Sequence, residues 1–443
     1  MLERRLSVAL IAMSLSAAAL SAQPTFSKEV SRILQQNCQQ CHRPNDIAPF
    51  SLLSYDDASS QARRIVSAVT SRVMPPWKPV AGHGEFKNPR LLSDDDIQTI
   101  RDWYEAGMPE GDPADLPPPT EFSAEWRLGV PDQTISMPEP YTPVAREDRP
   151  DRYRCFVVRN VVDQDRWVKA VDILPGARQL VHHVLLYLTD QPSVVASIAK
   201  MEAEDPEPGY DCWGGPRFTP AAGPGLIKEL GGVLGGWAPG AQPAVLQPEM
   251  GLMVPKGATL VIQVHYNLEN LGDEVVQDQT RVGLYFQPAT PKLRVLTLPI
   301  VNTTFKLPPG AMNQDVIAEF PFDLGQALGI PIPDAWVPKF SAVAVAPHMH
   351  QLGTKFDAEV KQPDGTVTPL IRIDDWDFHW QGFYDYAKPV PIPYRSKISA
   401  KCTFDNTTDR TITWGESTTD EMCLLYVGFI AEGGLGSLFG NPQ

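Results

Sequence analysis

Apolar residues follow a helical spacing in the N-terminal quarter of the chain and a strand-like spacing in the rest. In the first part they recur every three or four residues, which predicts helices. One helix is predicted over Ser27–Asn37, and a second follows Asp57. A third begins at Ser93, the expected N-cap, and ends at Gly107. Together they predict a small all-α unit over residues 23–113.

Beyond that unit, short alternating or β-branched runs are separated by turn residues, a pattern typical of antiparallel sheets. The predicted strands are Cys155–Val162, Trp167–Leu174, Val181–Leu188, Thr259–Tyr266, Val282–Phe286, Ala342–Pro347, Phe356–Gln362, Ile398–Phe404 and Leu424–Ile430. They indicate two antiparallel β-sandwich, jelly-roll-like domains, over residues 123–290 and 291–435. A proline-rich linker, residues 114–122, precedes them.

Residues 1–22 have the pattern of a cleaved signal peptide. Arg4 and Arg5 precede an apolar run from Leu6 to Leu20, and small residues follow it. No later stretch reaches the roughly 18 apolar residues that a membrane-spanning helix needs. We therefore expect a periplasmic or secreted protein without an integral membrane segment in the mature chain. The net charge of −15 argues against a nucleic-acid partner.

The helical unit contains a haem-attachment motif, Cys38-Gln-Gln-Cys41-His42. The two cysteines would form thioethers to a haem c, and His42 would bind the iron. A redox dithiol or a disulfide is the alternative. With this motif the three helices predict a cytochrome c domain.

The second axial ligand of the iron is open among three residues. Met74 is favoured, because the prolines that follow it hold it extended, so that its sulfur can face the iron. Met108 and His83 are the competitors.

Five more of the eight histidines lie in short motifs of the β-rich part: His182-His183, Gln-Val-His265 and His348-Met-His350. Residues two apart on a strand share a face, so His348 and His350 suit one metal ion, and Met422 is a candidate third ligand. Adjacent strand residues face opposite sides, so His182 and His183 can join His265 only through a bulge or by the use of different ring nitrogens. Imidazole and thioether donors without carboxylate favour copper.

These residues resemble the type II, ascorbate-dependent copper monooxygenases, the family of peptidylglycine α-hydroxylating monooxygenase and dopamine β-monooxygenase. The resemblance covers about residues 123–432. The motifs that carry it are Val-His182-His183-Val-Leu-Leu-Tyr, Gly-Trp237-Ala-Pro-Gly-Ala, Gln263-Val-His265-Tyr-Asn, Leu-Pro-Pro-Gly310, His348-Met-His350-Gln-Leu-Gly and Thr-Thr-Asp-Glu-Met422-Cys-Leu-Leu-Tyr426.

The resemblance implies a ligand set and a reaction. His182, His183 and His265 would bind an electron-storing copper, and His348, His350 and Met422 the copper that activates O2, with the substrate in a solvent-filled gap between them. The reaction is hydroxylation of a C–H bond. Gln263 would support the storage site, and Tyr426 would contact the substrate. The implied disulfides are Cys155–Cys212 and Cys402–Cys423.

The chain departs from the peptide-amidating members at position 346, where their carboxylate-binding arginine is replaced by Ala346. The predicted function is hydroxylation of a small organic substrate with O2, with electrons passing from a periplasmic donor through the haem. A non-catalytic electron-transfer or copper-handling protein is the alternative, and an adhesion-like protein with structural metals is a third. His379 has no assigned function and is expected to be structural.

Overall fold

The computed structural model describes residues 23–44, 48–122, 126–146, 151–224, 228–268, 275–323, 325–326, 329 and 331–442. The predicted signal peptide lies outside these residues. A π-helical turn, Phe26–Val30, runs into the first α-helix. The α-helices of the described part are α1 (Ser31–Asn37), α2 (Tyr55–Thr70), α3 (Asp94–Glu105) and α4 (Pro192–Glu204). None of them is long and apolar enough to cross a membrane.

The strands account for most of the remaining regular structure, and every predicted strand overlaps an observed one. They are β1 (Gln133–Ser136), β2 (Asp151–Val158), β3 (Arg166–Leu174), β4 (Val181–Thr189), β5 (Tyr210–Asp211), β6 (Val233–Trp237), β7 (Met250–Val254), β8 (Thr259–Asn267), β9 (Arg281–Phe286), β10 (Leu293–Arg294), β11 (Leu296–Asn302), β12 (Lys306–Leu307), β13 (Gln314–Pro321), β14 (Lys339–His348), β15 (Gly353–Lys361), β16 (Val367–Ile373), β17 (Tyr384–Ile392), β18 (Lys397–Phe404), β19 (Ile412–Thr413) and β20 (Cys423–Glu432).

Four sheets of four or five strands contain nearly all of these strands. The strand orders are β1-β9-β3-β7-β10 in the first sheet, β5-β2-β8-β4-β6 in the second, β11-β20-β14-β17 in the third and β13-β18-β15-β16 in the fourth. One hydrophobic cluster draws on the first two sheets, and a larger one on the third and fourth. The predicted copper ligands lie on the second and third sheets or just beyond their strands.

The predicted N-terminal helices are present. Ser54 caps α2 and Ser93 caps α3, each in a capping box with the aspartate three residues later. Buried residues of the three helices, such as Leu34, Ile100 and Trp103, form one small hydrophobic cluster.

The predicted fold class, a small all-α cytochrome c followed by two β-sandwiches, is wrong. The structure has 35% strand and 17% helix, without a clear all-α cytochrome c domain, and the sheets form a four-blade, propeller-like arrangement. The alternation of apolar residues fixes which face of a strand is buried, but it does not determine how the sheets are arranged.

Part of the N-terminal segment is extended and pairs with distant strands. Pro79 forms a β-bridge with Ile373, and Phe86 forms one with Tyr386. The Phe86 ring stacks on that of Tyr386 at a centroid distance of 5.1 Å. The N-terminal segment is therefore built onto the third and fourth sheets.

Candidate metal centres

Three imidazole rings converge on one point in the second sheet. His182 and His183 lie on β4, and His183 is paired in register with His265 on the neighbouring strand β8. The Nδ1 atom of His183 is 3.3 Å from Nδ1 of His182 and 3.3 Å from Nδ1 of His265. This cluster is a ready site for a metal ion.

A local irregularity explains how adjacent histidines reach the same ion. The pairing of β4 with β8 shifts register between Val181 and His183. Such a bulge re-aims one side chain, so His182 and His183 need not face opposite sides of the sheet.

A buried carboxylate fixes the orientation of His265. Asp151 Oδ1 lies 2.8 Å from His265 Nε2. Burial acts to raise the pKa of Asp151, but hydrogen bonds from His265 and Thr418 lower that pKa to about 2. The ionised carboxylate keeps the proton on Nε2, and the lone pair of Nδ1 faces the other two rings.

The second ligand cluster forms where β14 ends and β20 begins. His348 is the last residue of β14, and His350 lies in the turn that follows, so the two histidines do not share a strand as predicted. Their ring centres are 5.1 Å apart, and the planes are perpendicular. Met422, just before β20, lines the same cavity as His348.

Both of these imidazoles use Nδ1 for a hydrogen bond to the protein. His348 Nδ1 donates to Gln381 Oε1, and His350 Nδ1 donates to the main-chain oxygen of Asp420 at 3.1 Å. Nε2 of each ring is therefore left for a metal. Burial lowers the pKa of His348 to about 4 and that of His350 to about 3. Both rings are neutral at pH 7, as metal ligands must be.

Glu421 holds the backbone of the second cluster. Its carboxylate accepts hydrogen bonds from the main-chain N–H groups of His350 at 2.8 Å, Leu352 at 2.6 Å and Met422 at 3.2 Å. Burial raises the pKa of Glu421 to about 8. One side chain thus fixes two of the three predicted ligands.

A cavity of about 260 Å³ adjoins both clusters and is lined by His183 of the first and by His348 and Met422 of the second. Tyr426 lines it, and burial raises the pKa of this phenol to about 12, so it stays a hydrogen-bond donor. Gln263 lines it as well, accepting a 3.4 Å hydrogen bond from the Tyr187 hydroxyl. The cavity is also lined by Trp237, Ala346 and Glu416.

The two clusters lie closer together than a solvent-filled gap would imply. The ring centres of His183 and His348 are 6.1 Å apart. Phe378 contacts both clusters. Its ring stacks on that of His182 with 4.3 Å between the ring centres, and it forms a T-shaped contact with His350 at 5.9 Å between the ring centres. The free space next to the ligands is therefore the adjoining cavity and not a wide gap between the clusters.

The haem-attachment motif follows α1 directly. Main-chain hydrogen bonds from Cys41 and His42 to the Cys38 oxygen close a tight turn. His42 Nδ1 lies 3.1 Å from the Phe50 oxygen, which leaves Nε2 available for iron. The donor set therefore fits a haem c.

The three candidates for the second axial ligand lie in different surroundings. Met74 follows α2, with its main-chain N–H bonded to the Ala68 oxygen. Met108 packs against the cluster formed by the three helices. His83 lies near Asp357 of the fourth sheet, whose pKa is raised by burial. The choice of Met74 stays a prediction.

The structure contains the two disulfides implied by the resemblance, Cys155–Cys212 and Cys402–Cys423. The second lies beside Met422 and ties β20 to β18. His379 is largely exposed and contacts Asp377, and it is not part of either cluster.

Several functional residues were not predicted from the sequence. They are Asp151, Phe378, Gln381, Asp420 and Glu421. Asp420 and Glu421 lie inside a motif that also contains Met422, so proximity in sequence could have suggested them. The others come from distant segments, and only the fold brings them to the ligands.

Comparison with known proteins finds one family with a domain similar to part of this chain. Residues 330–434 match the C-terminal domain of the copper type II ascorbate-dependent monooxygenases. That segment contains His348, His350 and Met422. Imidazole and thioether donors without a carboxylate suit copper, the metal in the name of that family.

Two relatives extend the similarity to much of the chain. Putative DBH-like monooxygenase protein 2 of Homo sapiens is 25% identical over 275 residues, which is 59% of this chain and 49% of that protein. Peptidyl-glycine alpha-amidating monooxygenase of Mus musculus is 24% identical over 291 residues, 64% of this chain and 25% of that protein. The matched part thus spans about half of the human protein and about a quarter of the mouse protein. These similarities support a copper-dependent monooxygenase.

We expect copper binding by His348 and His350 to be nearly independent of pH between about 7 and 5. Because their pKa values are lowered to about 4 and 3, protons do not compete for Nε2 until the pH approaches 4. Ordinary imidazoles would lose affinity about tenfold per ring for each pH unit below about 6.5. Equilibrium dialysis against a buffered copper chelator measures this. Copper loss with a midpoint near pH 6.5 would contradict it.

Proposed function

We propose that this chain is a periplasmic or secreted copper-dependent monooxygenase that hydroxylates a C–H bond of a small organic substrate with O2. A covalently bound haem c would deliver the electrons from a periplasmic donor. The observation that carries the proposal is a pair of donor clusters that share one cavity. Three imidazoles converge in the first cluster, of which His183 lines the cavity, and His348 and Met422 of the second cluster line it as well.

The ligand side chains of both clusters are already oriented for metal binding in the metal-free protein. Copper, when bound, supplies the electrons and the O2 activation that hydroxylation requires. The chain keeps the ligand rings neutral by burial and orients them through Asp151, Gln381 and the Asp420 carbonyl. The cavity holds the substrate beside these ligands, and the Tyr426 hydroxyl is positioned to orient it.

The charge of the cavity favours substrates without a carboxylate. No lysine or arginine occurs among the described residues that line it. Ala346, which replaces the carboxylate-binding arginine of the peptide-amidating enzymes, lies on its wall, and Glu416 faces it. Burial raises the pKa of Glu416 to about 7, so the carboxyl is mainly ionised at pH 8. An anionic substrate would be repelled.

Contacts of the haem-attachment motif support electron delivery through the haem. Gln40, inside the motif, donates to Gln242 Oε1 at 3.4 Å. Arg90 donates to the Gly240 oxygen at 3.0 Å. The segment contacted here follows Trp237, which lines the cavity together with His183. Burial also raises the pKa of the Cys38 thiol to about 12, which disfavours the thiolate that a redox dithiol needs.

The central test is O2 consumption by reduced, metal-loaded protein with a panel of small organic molecules, together with metal analysis. We expect two copper ions and one iron per chain, and a hydroxylated product. Stoichiometric oxidation without product across a broad panel would favour an electron-transfer protein instead.

Replacing Met422 with Leu should abolish hydroxylation while the three-imidazole site keeps its copper. Loss of the thioether removes a predicted direct ligand, so we expect a decrease of at least about 100-fold in the rate. The matched control is Met349→Leu, which changes a buried methionine of the hydrophobic cluster at similar volume. Equal activity of the two variants would contradict the role of Met422.

Compounds with a carboxylate should be poorer substrates than the corresponding neutral carboxamides with the same carbon skeleton. At pH 8 we expect a difference of about tenfold or more, because a buried carboxylate would be left without a cationic partner. The Glu416→Gln variant should narrow this difference by removing the opposing charge. Rates measured on matched pairs of compounds decide this, and faster turnover of the carboxylates would contradict it.

Replacing Met74 with Ala should abolish the sulfur-to-iron charge-transfer band of the oxidised haem. The band reports a thioether bound to iron. The Met108→Ala variant is the control and should retain it. Persistence of the band in Met74→Ala would exclude Met74 as the axial ligand.

A further inference from the structure

A buried hydrogen-bonded bridge connects the two ligand clusters. Asp151, on β2, accepts hydrogen bonds at Oδ1 from His265 Nε2 at 2.8 Å and from the Thr418 hydroxyl at 2.7 Å. Its Oδ2 accepts from the Thr418 main-chain N–H at 3.0 Å. Asp151 is 0% exposed and Thr418 is 3% exposed. Because both side chains are buried, water does not compete for these hydrogen bonds as long as the two clusters stay together.

The other end of the bridge reaches the second cluster through a few residues of main chain. Thr418 precedes Asp420, whose carbonyl oxygen accepts from His350 Nδ1. Glu421 then binds the main-chain N–H groups of His350 and Met422. The segment Thr418–Met422 thus contacts the first cluster through Asp151 and contains or orients two ligands of the second.

Separation of the two clusters would break this bridge at a cost. Asp151 would lose both of its hydrogen bonds to Thr418, one from the hydroxyl and one from the main-chain N–H. Its buried Oδ2 atom would be left without that N–H donor, and an unsatisfied buried polar atom costs free energy. The stacking of Phe378 on His182 would be lost as well.

We propose that Asp151 and Thr418 are positioning residues that hold the two copper centres in the close arrangement. A metal on Nδ1 of His265 keeps the proton on Nε2, which donates to Asp151, so occupancy of the first site reinforces the bridge. By linkage, an ordered Thr418–Met422 segment favours metal binding at the first site. The inference rests on the proposed function only in assuming copper at both clusters.

The first test uses metal-free protein and the nearly isosteric Thr418→Val variant, which removes one donor to Asp151. Hydrogen exchange of residues 417–422, followed by mass spectrometry, should become about tenfold faster, while exchange in β18 stays unchanged. Thr418→Ser keeps the hydroxyl and should behave like the wild type. Asp151→Asn, which keeps the shape and removes the charge, should reproduce the effect if Thr418→Val does not fold.

The second test uses oxidised protein loaded with two copper ions. The ring centres of His183 and His348 are 6.1 Å apart, so Cu(II) ions bound at both clusters would be near enough to broaden each other's EPR signals by dipolar coupling. In Thr418→Val we expect the coupled signal to decrease in favour of two isolated Cu(II) signals. Unchanged exchange in both the Thr418→Val and Asp151→Asn variants, or an unchanged coupled spectrum, would overturn the proposal. Failure to bind two copper ions would instead contradict the proposed function, and the exchange measurement would still decide on the bridge.

Discussion

The metal centres depend on one constraint, the use of one ring nitrogen of a ligand histidine for a protein hydrogen bond. His265 donates to Asp151, His348 to Gln381, and His350 to the Asp420 carbonyl. Each bond fixes the tautomer and rotates the opposite nitrogen into the site. Different nitrogens are left free in the two clusters, Nδ1 in the first and Nε2 in the second. Because the rings are buried and neutral, they meet a metal without first losing a proton.

The fold supplies these partners from segments far apart in the chain. Asp151 lies 114 residues from His265, and Gln381 lies 33 residues from His348. Strand pairing contributes as much: β8 places His265 beside His183, and the register shift next to Val181 brings His182 into the same cluster. A one-residue change of register would turn these side chains away from each other. The sites are thus a property of the second and third sheets and not of any single motif.

Features that depend on local sequence could be predicted, whereas features that depend on contacts between distant segments could not. The strands were predictable, because alternation is a local pattern, and the short spacing within His182-His183 and within His348-Met-His350 marked those histidines as candidate ligands. The arrangement of the sheets was not, since the pattern of buried positions does not say which sheet lies against which. Asp151, Gln381 and Phe378 were missed for a related reason: an aspartate, a glutamine and a phenylalanine are ordinary residues until folding places them against an imidazole. The distance between the clusters is likewise set only by tertiary contacts.

The N-terminal segment bears on that distance because it contacts both halves of the chain. Gln40 and Arg90 bind the segment that follows β6, whereas the main chain of residues 85–87 pairs with β17 of the third sheet. Those two attachment points belong to the sheets that contain the first and the second cluster. A movement that separated the clusters would therefore also strain or break one set of these contacts. The N-terminal segment is thus attached to both of the regions that the Asp151–Thr418 bridge connects.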